Sequence, residues 1–94
     1  MTKSEKKLFD KLSQLGCIVC LREGYGFSPT EIHHIRQNAG MGQKSKEVIP
    51  LCPQHHRIGG YGIAIHAGQK EFESKYGTEQ FLLECTNQLL KENP

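Results

Sequence analysis

Two pairs of potential metal ligands stand in this chain at one and the same spacing: Cys17-Ile-Val-Cys20 and Cys52-Pro-Gln-His55. Two intervening residues let both side chains of a pair turn toward a common centre from a tight turn. Thiolate and imidazole are the donors that Zn²⁺ takes in closed, four-coordinate sites. Those four residues complete such a site. Three further histidines, His33, His34 and His56, lie close by in sequence with no place in it. A purely structural zinc knuckle does not need them. Two disulfides or a redox pair would be another use for the cysteines. A redox Cys-x-x-Cys starts a helix within a thioredoxin-like βαβ pattern, which this sequence lacks. A CxxC followed by a CxxH reads instead as metal ligation in a reducing cytoplasm.

The surplus histidines can supply a hydrolytic site for phosphodiesters. That chemistry needs a base to deprotonate water, a metal to stabilise charge on the phosphorane and an open coordination position. One of the His33-His34 pair can hold the metal while the other acts as base. An ordinary imidazole titrates near ~6.5, which suits a base at neutral pH. His56 follows the zinc ligand His55 and points about 100° away around a helix, so one helix start can serve two metals. Neighbours on a strand face opposite sides, so His33 and His34 reach one site only where the strand twists strongly or ends. Without a second metal, the pair would be one buried and one exposed histidine.

The elements that must position these groups are short. Thr2 and Glu5 form a capping box, and Leu8, Phe9, Leu12 and Leu15 follow on one helical stripe that Gly16 ends. Gly24, Gly26 and Ser28-Pro29 mark a turn-rich connection. Glu31 to Arg36 and Val48 to Leu51 read as two strands, with Pro50 placing the second at an edge or end. The segment from Gln37 to Ser45 reads as a loop. Pro53 suits the first turn of a helix carrying His55 and His56, which Gly59-Gly60 should stop. Ile63 to His66 is ambiguous between strand and loop. Gln69 to Tyr76 reads as a helix closed by Gly77. Thr78 can cap a last helix that buries Phe81, Leu82, Cys85, Leu89 and Leu90. Cys85, at helical spacing with Leu82 and Leu89, reads as a plain core thiol. The expected organisation is one α+β domain: an N-terminal helix over 1–16, a knuckle and two-strand core over 17–66, and C-terminal helices over 67–94.

Composition bounds the rest. Ninety-four residues allow one small domain, of the size that a structural metal commonly staples. A net charge of +2 permits contact with nucleic acid without the strong excess of a chain that coats it. No apolar run approaches the ~18 residues of a membrane span, and no signal peptide is apparent, so a cytoplasmic protein is expected.

The strings Glu31-Ile-His-His-Ile-Arg36 and Ile49-Pro-Leu-Cys-Pro-Gln-His-His-Arg57 resemble HNH endonucleases of the ββα-metal type. Cys17-Ile-Val-Cys20, Glu23-Gly-Tyr-Gly-Phe-Ser-Pro29, Gly40-Met-Gly42 and the run from Gly59 to Gln69 extend that resemblance to the phage recombination-enhancement nucleases called Ref, which are RecA-dependent. The resemblance implies a zinc-stapled ββα-metal fold with flanking helices, in the cytoplasm of a bacterial host. It assigns Cys17, Cys20, Cys52 and His55 to structural zinc, His33 and His56 to a catalytic Mg²⁺ or Mn²⁺, and His34 to the general base. Zn²⁺ can also occupy a site built of imidazoles. The implied substrate is DNA, cleaved to 5′ phosphates and 3′ hydroxyls, with a RecA filament on single-stranded DNA as partner. Glu47 stands where the HNH pattern commonly has its Asn; Asn38 is the nearest Asn.

Arg36, Lys44, Lys46 and Arg57 flank the proposed site and are the candidates for phosphate contacts, which position DNA without reading its sequence. His66 has no role in the minimal HNH pattern; a further ligand, a phosphate contact and a satisfied core histidine are its three readings. Only Lys3, Lys6 and Lys7 stand where the phage enzyme carries a basic arm, which favours a RecA-independent nicking nuclease as the alternative. The rival outside enzymes is a zinc-stapled binding module, which leaves His33, His34 and His56 without a use.

Overall fold

The computed structural model describes residues 3–35 and 47–92. Arg36, Asn38, Lys44 and Lys46 lie outside the described residues, as does the Thr2 half of the expected capping box. Helix α1, Lys3–Leu15, turns its stripe inward at Leu12, which is fully buried. Gly16 then takes a φ of +90°, a left-handed geometry that L side chains rarely adopt, and its N–H closes on the Leu12 carbonyl at 3.0 Å. A Cβ at Gly16 would also meet the Phe27 ring at 2.9 Å. The chain is thereby released from α1 directly into Cys17.

A short helix α2, Ile18–Arg22, follows, with the Cys17 sulfur as its cap: the Cys20 N–H points at Cys17 Sγ, 3.5 Å away. Strands β1, Glu31–His34, and β2, Val48–Leu51, pair antiparallel with Ile32 opposite Pro50 and His33 opposite Ile49. The first strand ends two residues before the expected Arg36. A two-stranded sheet consists of edges, and this is why Pro50 is tolerated inside it although it lacks an N–H. After Cys52 the chain makes a wide helical turn, Gln54–Ile58, whose last bond runs from the Gly59 N–H to the Gln54 carbonyl at 2.9 Å, five residues back. Gly60, at φ +87°, turns the chain out of it.

The ambiguous stretch before Gly68 resolves into a single 3₁₀ turn, Ile65–Ala67, leading into helix α3, Gln69–Tyr76, and helix α4, Glu79–Glu92. Thr78 Oγ1 accepts the Phe81 N–H at 3.1 Å, the cap that the sequence indicates. The buried face of α4 differs from expectation. Glu79, Leu82 and Thr86, spaced three and four apart, form the stripe that enters the core, with Leu83, Cys85 and Leu89 half-buried at its margin. Phe81 is one residue, about 100°, off that stripe. It is 40 % exposed, with the Arg22 guanidinium 4.6 Å over its ring. Cys85 is likewise not a sealed core thiol: Arg22 Nη1 lies 3.4 Å from its Sγ. The helix thus carries the Glu79 carboxylate inside and Phe81 at the surface.

The core joins Ile18, Val19, Ile35, Ile49, Leu51, Ile65, Phe72 and Leu82 around the buried cysteines. Sheet, helical turn and α3 therefore meet at the same centre as the ligand pairs. Among the described residues, no helix is long and apolar enough to cross a membrane.

Candidate functional site

The first cluster is closed. Cys17, Cys20, Cys52 and His55 converge from α2, the end of β2 and the helical turn, and are 0 %, 6 %, 4 % and 6 % exposed. His55 Nδ1 lies 3.6 Å from Cys17 Sγ, 3.6 Å from Cys20 Sγ and 3.1 Å from Cys52 Sγ, and Cys20 and Cys52 Sγ are 3.8 Å apart. A tetrahedral centre with Zn–S near ~2.3 Å and Zn–N near ~2.05 Å has edges of about 3.8 Å between sulfurs and about 3.6 Å between sulfur and nitrogen. The separations of His55 from Cys17 and Cys20 and of Cys20 from Cys52 match those edges, while the Cys52–His55 separation is shorter by about 0.5 Å. None of the cysteines is in a disulfide.

Electrostatics point the same way. Burial, aided by the neighbouring thiols, pushes the Cys17 thiol up to about 12, and burial raises that of Cys20 as well. At Cys52 burial acts upward too, but the His55 N–H and the facing thiols outweigh it and hold the thiol below its ordinary range. His55 is driven toward its neutral form, chiefly by burial. Three thiols and a neutral imidazole in an apolar core are costly to ionise alone and become a stable set around a divalent cation. The cluster could hold a structural metal such as zinc.

The second cluster is open. His33 on β1, His56 in the helical turn and His66 in the 3₁₀ turn place one ring nitrogen each within 4.8 Å of one another. Ring centroids are 4.4 Å apart for His56 and His66, 5.2 Å for His33 and His56, and 5.4 Å for His33 and His66. Burial falls across the set: His33 is buried, His56 half-buried and His66 exposed. All three line a cleft of about 610 Å³ together with Ile32, His34, Gln69 and Glu79. A groove of about 700 Å³ between α2 and α4 is larger, but it is mainly apolar and contains neither cluster.

Two carboxylates fix the rings. Glu79 Oε2 lies 2.5 Å from His33 Nε2, and Glu31 Oε1 lies 2.9 Å from His56 Nδ1. A carboxylate accepts, so the proton sits on the nitrogen that faces it, and the other nitrogen keeps its lone pair. With both carboxylates ionised, Nδ1 of His33 and Nε2 of His56 would be the atoms open to a metal. Burial pulls His33 toward its neutral form against the Glu79 hydrogen bond, with His56 and His66 acting in the same direction as burial. Glu31 is held down to about 2, first by Arg57 and then by His56. Arg57 donates to both Glu31 oxygens, from Nε at 3.0 and 3.2 Å and from Nη2 at 2.8 Å.

The histidines singled out from sequence therefore sort as follows. His33 and His56 come together, and His34, the last residue of β1, lines the same cleft. His66 is no satisfied core histidine: it is exposed and stands beside the other two. Glu47 is not brought to this cluster. Its carbonyl accepts the Ile35 N–H at 3.0 Å, its carboxylate accepts from Gln80 at 3.2 Å, and it borders a separate cleft between α1 and α4. Arg57 reaches the site through Glu31. Sequence reasoning missed Glu79 and the task of Glu31. Glu31 lies two residues before His33 and was legible only as part of a motif. Glu79 carried one signal, an acid on the buried stripe of α4.

Over residues 1–91 the chain matches the family described as "Recombination enhancement, RecA-dependent nuclease". It belongs to that family.

Proposed function

We propose, on the premise of that membership, that the chain is a metal-dependent DNA endonuclease of the HNH type. The histidine cleft would be its active site and DNA held on or near a RecA filament its substrate. The observation that carries this reading is the second cluster: three imidazoles converge at an open cleft whose wall also holds His34. A binding module stapled by zinc has no use for that arrangement.

In this reading His33, His56 and His66 hold the catalytic ion. Bound there, a divalent cation would neutralise charge on the scissile phosphate and on the leaving 3′ oxygen. Three nitrogen donors favour a transition ion such as Mn²⁺ over Mg²⁺, and they also suit Zn²⁺. His34 acts as general base: it takes a proton from the attacking water, and the water oxygen bonds to phosphorus as the 3′ oxygen leaves. His55 and the three cysteines keep the helical turn fixed, so that His56, one residue on, faces the cleft. Arg57 anchors Glu31 and, with its side chain 55 % exposed, meets DNA phosphate from the rim. Arg36, Lys44 and Lys46 are assigned to the same backbone contacts by their place in the sequence.

The test is cleavage of plasmid and of RecA-coated single-stranded DNA paired with duplex, in Mg²⁺ or Mn²⁺, with wild type beside His34→Ala. Loss of a general base lowers the rate about 10²–10⁴-fold. Cleavage that needs RecA supports the full reading, and cleavage of bare plasmid supports a RecA-independent nicking enzyme. A folded, zinc-loaded wild type that cuts neither substrate returns the chain to the binding-module class.

A further inference from the structure

We propose that Glu79 is a positioning residue that locks the His33 imidazole with its proton on Nε2 and its Nδ1 lone pair turned toward the cleft. The C-terminal helix α4 thereby becomes part of the metal site without touching the metal. This rests on the reading of His33, His56 and His66 as metal ligands.

Glu79 is a charged residue that is only 4 % exposed, so its carboxylate is kept inside against a desolvation cost. Both of its oxygens are occupied: Oε2 faces His33 Nε2 at 2.5 Å, and Oε1 accepts from Gln69 Nε2 at 2.9 Å. Its own backbone N–H is held by the Glu73 carboxylate at 3.0 Å. The group is thus tied to α3 on one side and aimed at His33 on the other. Its position at the first turn of α4 adds the favourable field of a helix N-terminus. An ordinary core would place an apolar side chain at 79. A carboxylate behind a ligating histidine fixes the ring, selects the tautomer and makes the facing nitrogen a better donor.

The experiment uses the full chain with its structural zinc in place and reads Mn²⁺ binding and histidine spectra, not cleavage. Titration of Glu79→Gln with Mn²⁺ should show affinity reduced about 10–100-fold, the usual cost of losing an outer partner, with zinc content and melting close to wild type. In ¹⁵N-histidine spectra the wild type should show a slowly exchanging, downfield Nε2–H on His33 that moves upfield in Glu79→Gln and is lost in Glu79→Ala. The wild-type signal and the isosteric Gln variant keep the test open even if the Ala variant fails to fold. Wild-type Mn²⁺ affinity in folded Glu79→Gln overturns the proposal, as does a His33 protonated on Nδ1 alone. Complete loss of Mn²⁺ binding with the His33 resonance unmoved also overturns it, because that marks Glu79 as a ligand itself. A wild type that binds no Mn²⁺ sinks the metal reading of the cluster, a result distinct from a variant that binds as well as wild type.

Discussion

Two ligand clusters lie one residue apart in the chain, at His55 and His56, and they are built on opposite terms. The Cys17, Cys20, Cys52 and His55 cluster is buried, its four ligand atoms within 4.8 Å of one another and its members on elements that form the core. The His33, His56 and His66 cluster grades from a buried member to an exposed one and opens into a cleft. A structural site uses its full coordination on protein ligands, whereas a catalytic site must leave room for substrate and water. The difference is also one of backing. The closed cluster is supported by packing, including the Tyr76 ring edge-on to His55 at 5.2 Å. The open one is supported by carboxylates behind its rings. Burial makes a cluster rigid at the expense of access. Carboxylate backing is how an accessible cluster keeps its rings aimed.

The largest effect should come from the closed side. Cys52→Ser, or removal of zinc by a strong chelator, should abolish the cooperative fold, since metal binding in small zinc domains is worth about 10–16 kcal/mol of folding free energy. Circular dichroism melting with zinc stoichiometry checks this. An unchanged melt would mean that the closed cluster is no staple. Next, His34→Ala should remove about 10²–10⁴-fold of cleavage while leaving the melt unchanged. A parallel loss of stability would erase the separation between the two regions. His66→Ala should weaken Mn²⁺ binding at the open cluster by more than the about 10–100-fold expected for an outer partner, with one zinc still retained per chain. Equal affinity in that variant would reduce the open cluster to two members. Arg57→Ala should have the smallest effect. The Arg57–Glu31 pair is partly exposed, and such pairs contribute little to stability. Its melt should shift near the limit of measurement, while cleavage should become more sensitive to salt if Arg57 meets phosphate.

Local chemistry made much of this legible in advance. The closed cluster follows from two pairs of potential donors, each pair three positions apart, because a single turn brings both members to one side. The helix Gln69–Tyr76 and the Thr78 cap follow from backbone preferences that act over a few residues. The strand Val48–Leu51 was readable from its apolar run. The errors arose where distant elements compete. Phe81 was assigned to the core by helical spacing, but the rotation of α4 is decided by what it packs on, and Glu79 takes the inward position. Cys85 followed the same helix outward. His33 and His34 are neighbours on one strand, and both line the cleft.

By itself, the sequence determined which donor types the chain carries and which neighbours in the chain could act as a pair. It also determined the turns and caps that present them, since these depend on interactions within three or four residues. Tertiary structure alone decided that His66 joins His33 and His56, that Glu31 backs His56, and that Glu79 reaches His33 across 46 positions of chain. Such partners are set by how helices and sheet fit together around the buried core. Spacing along the chain carries no record of that fit.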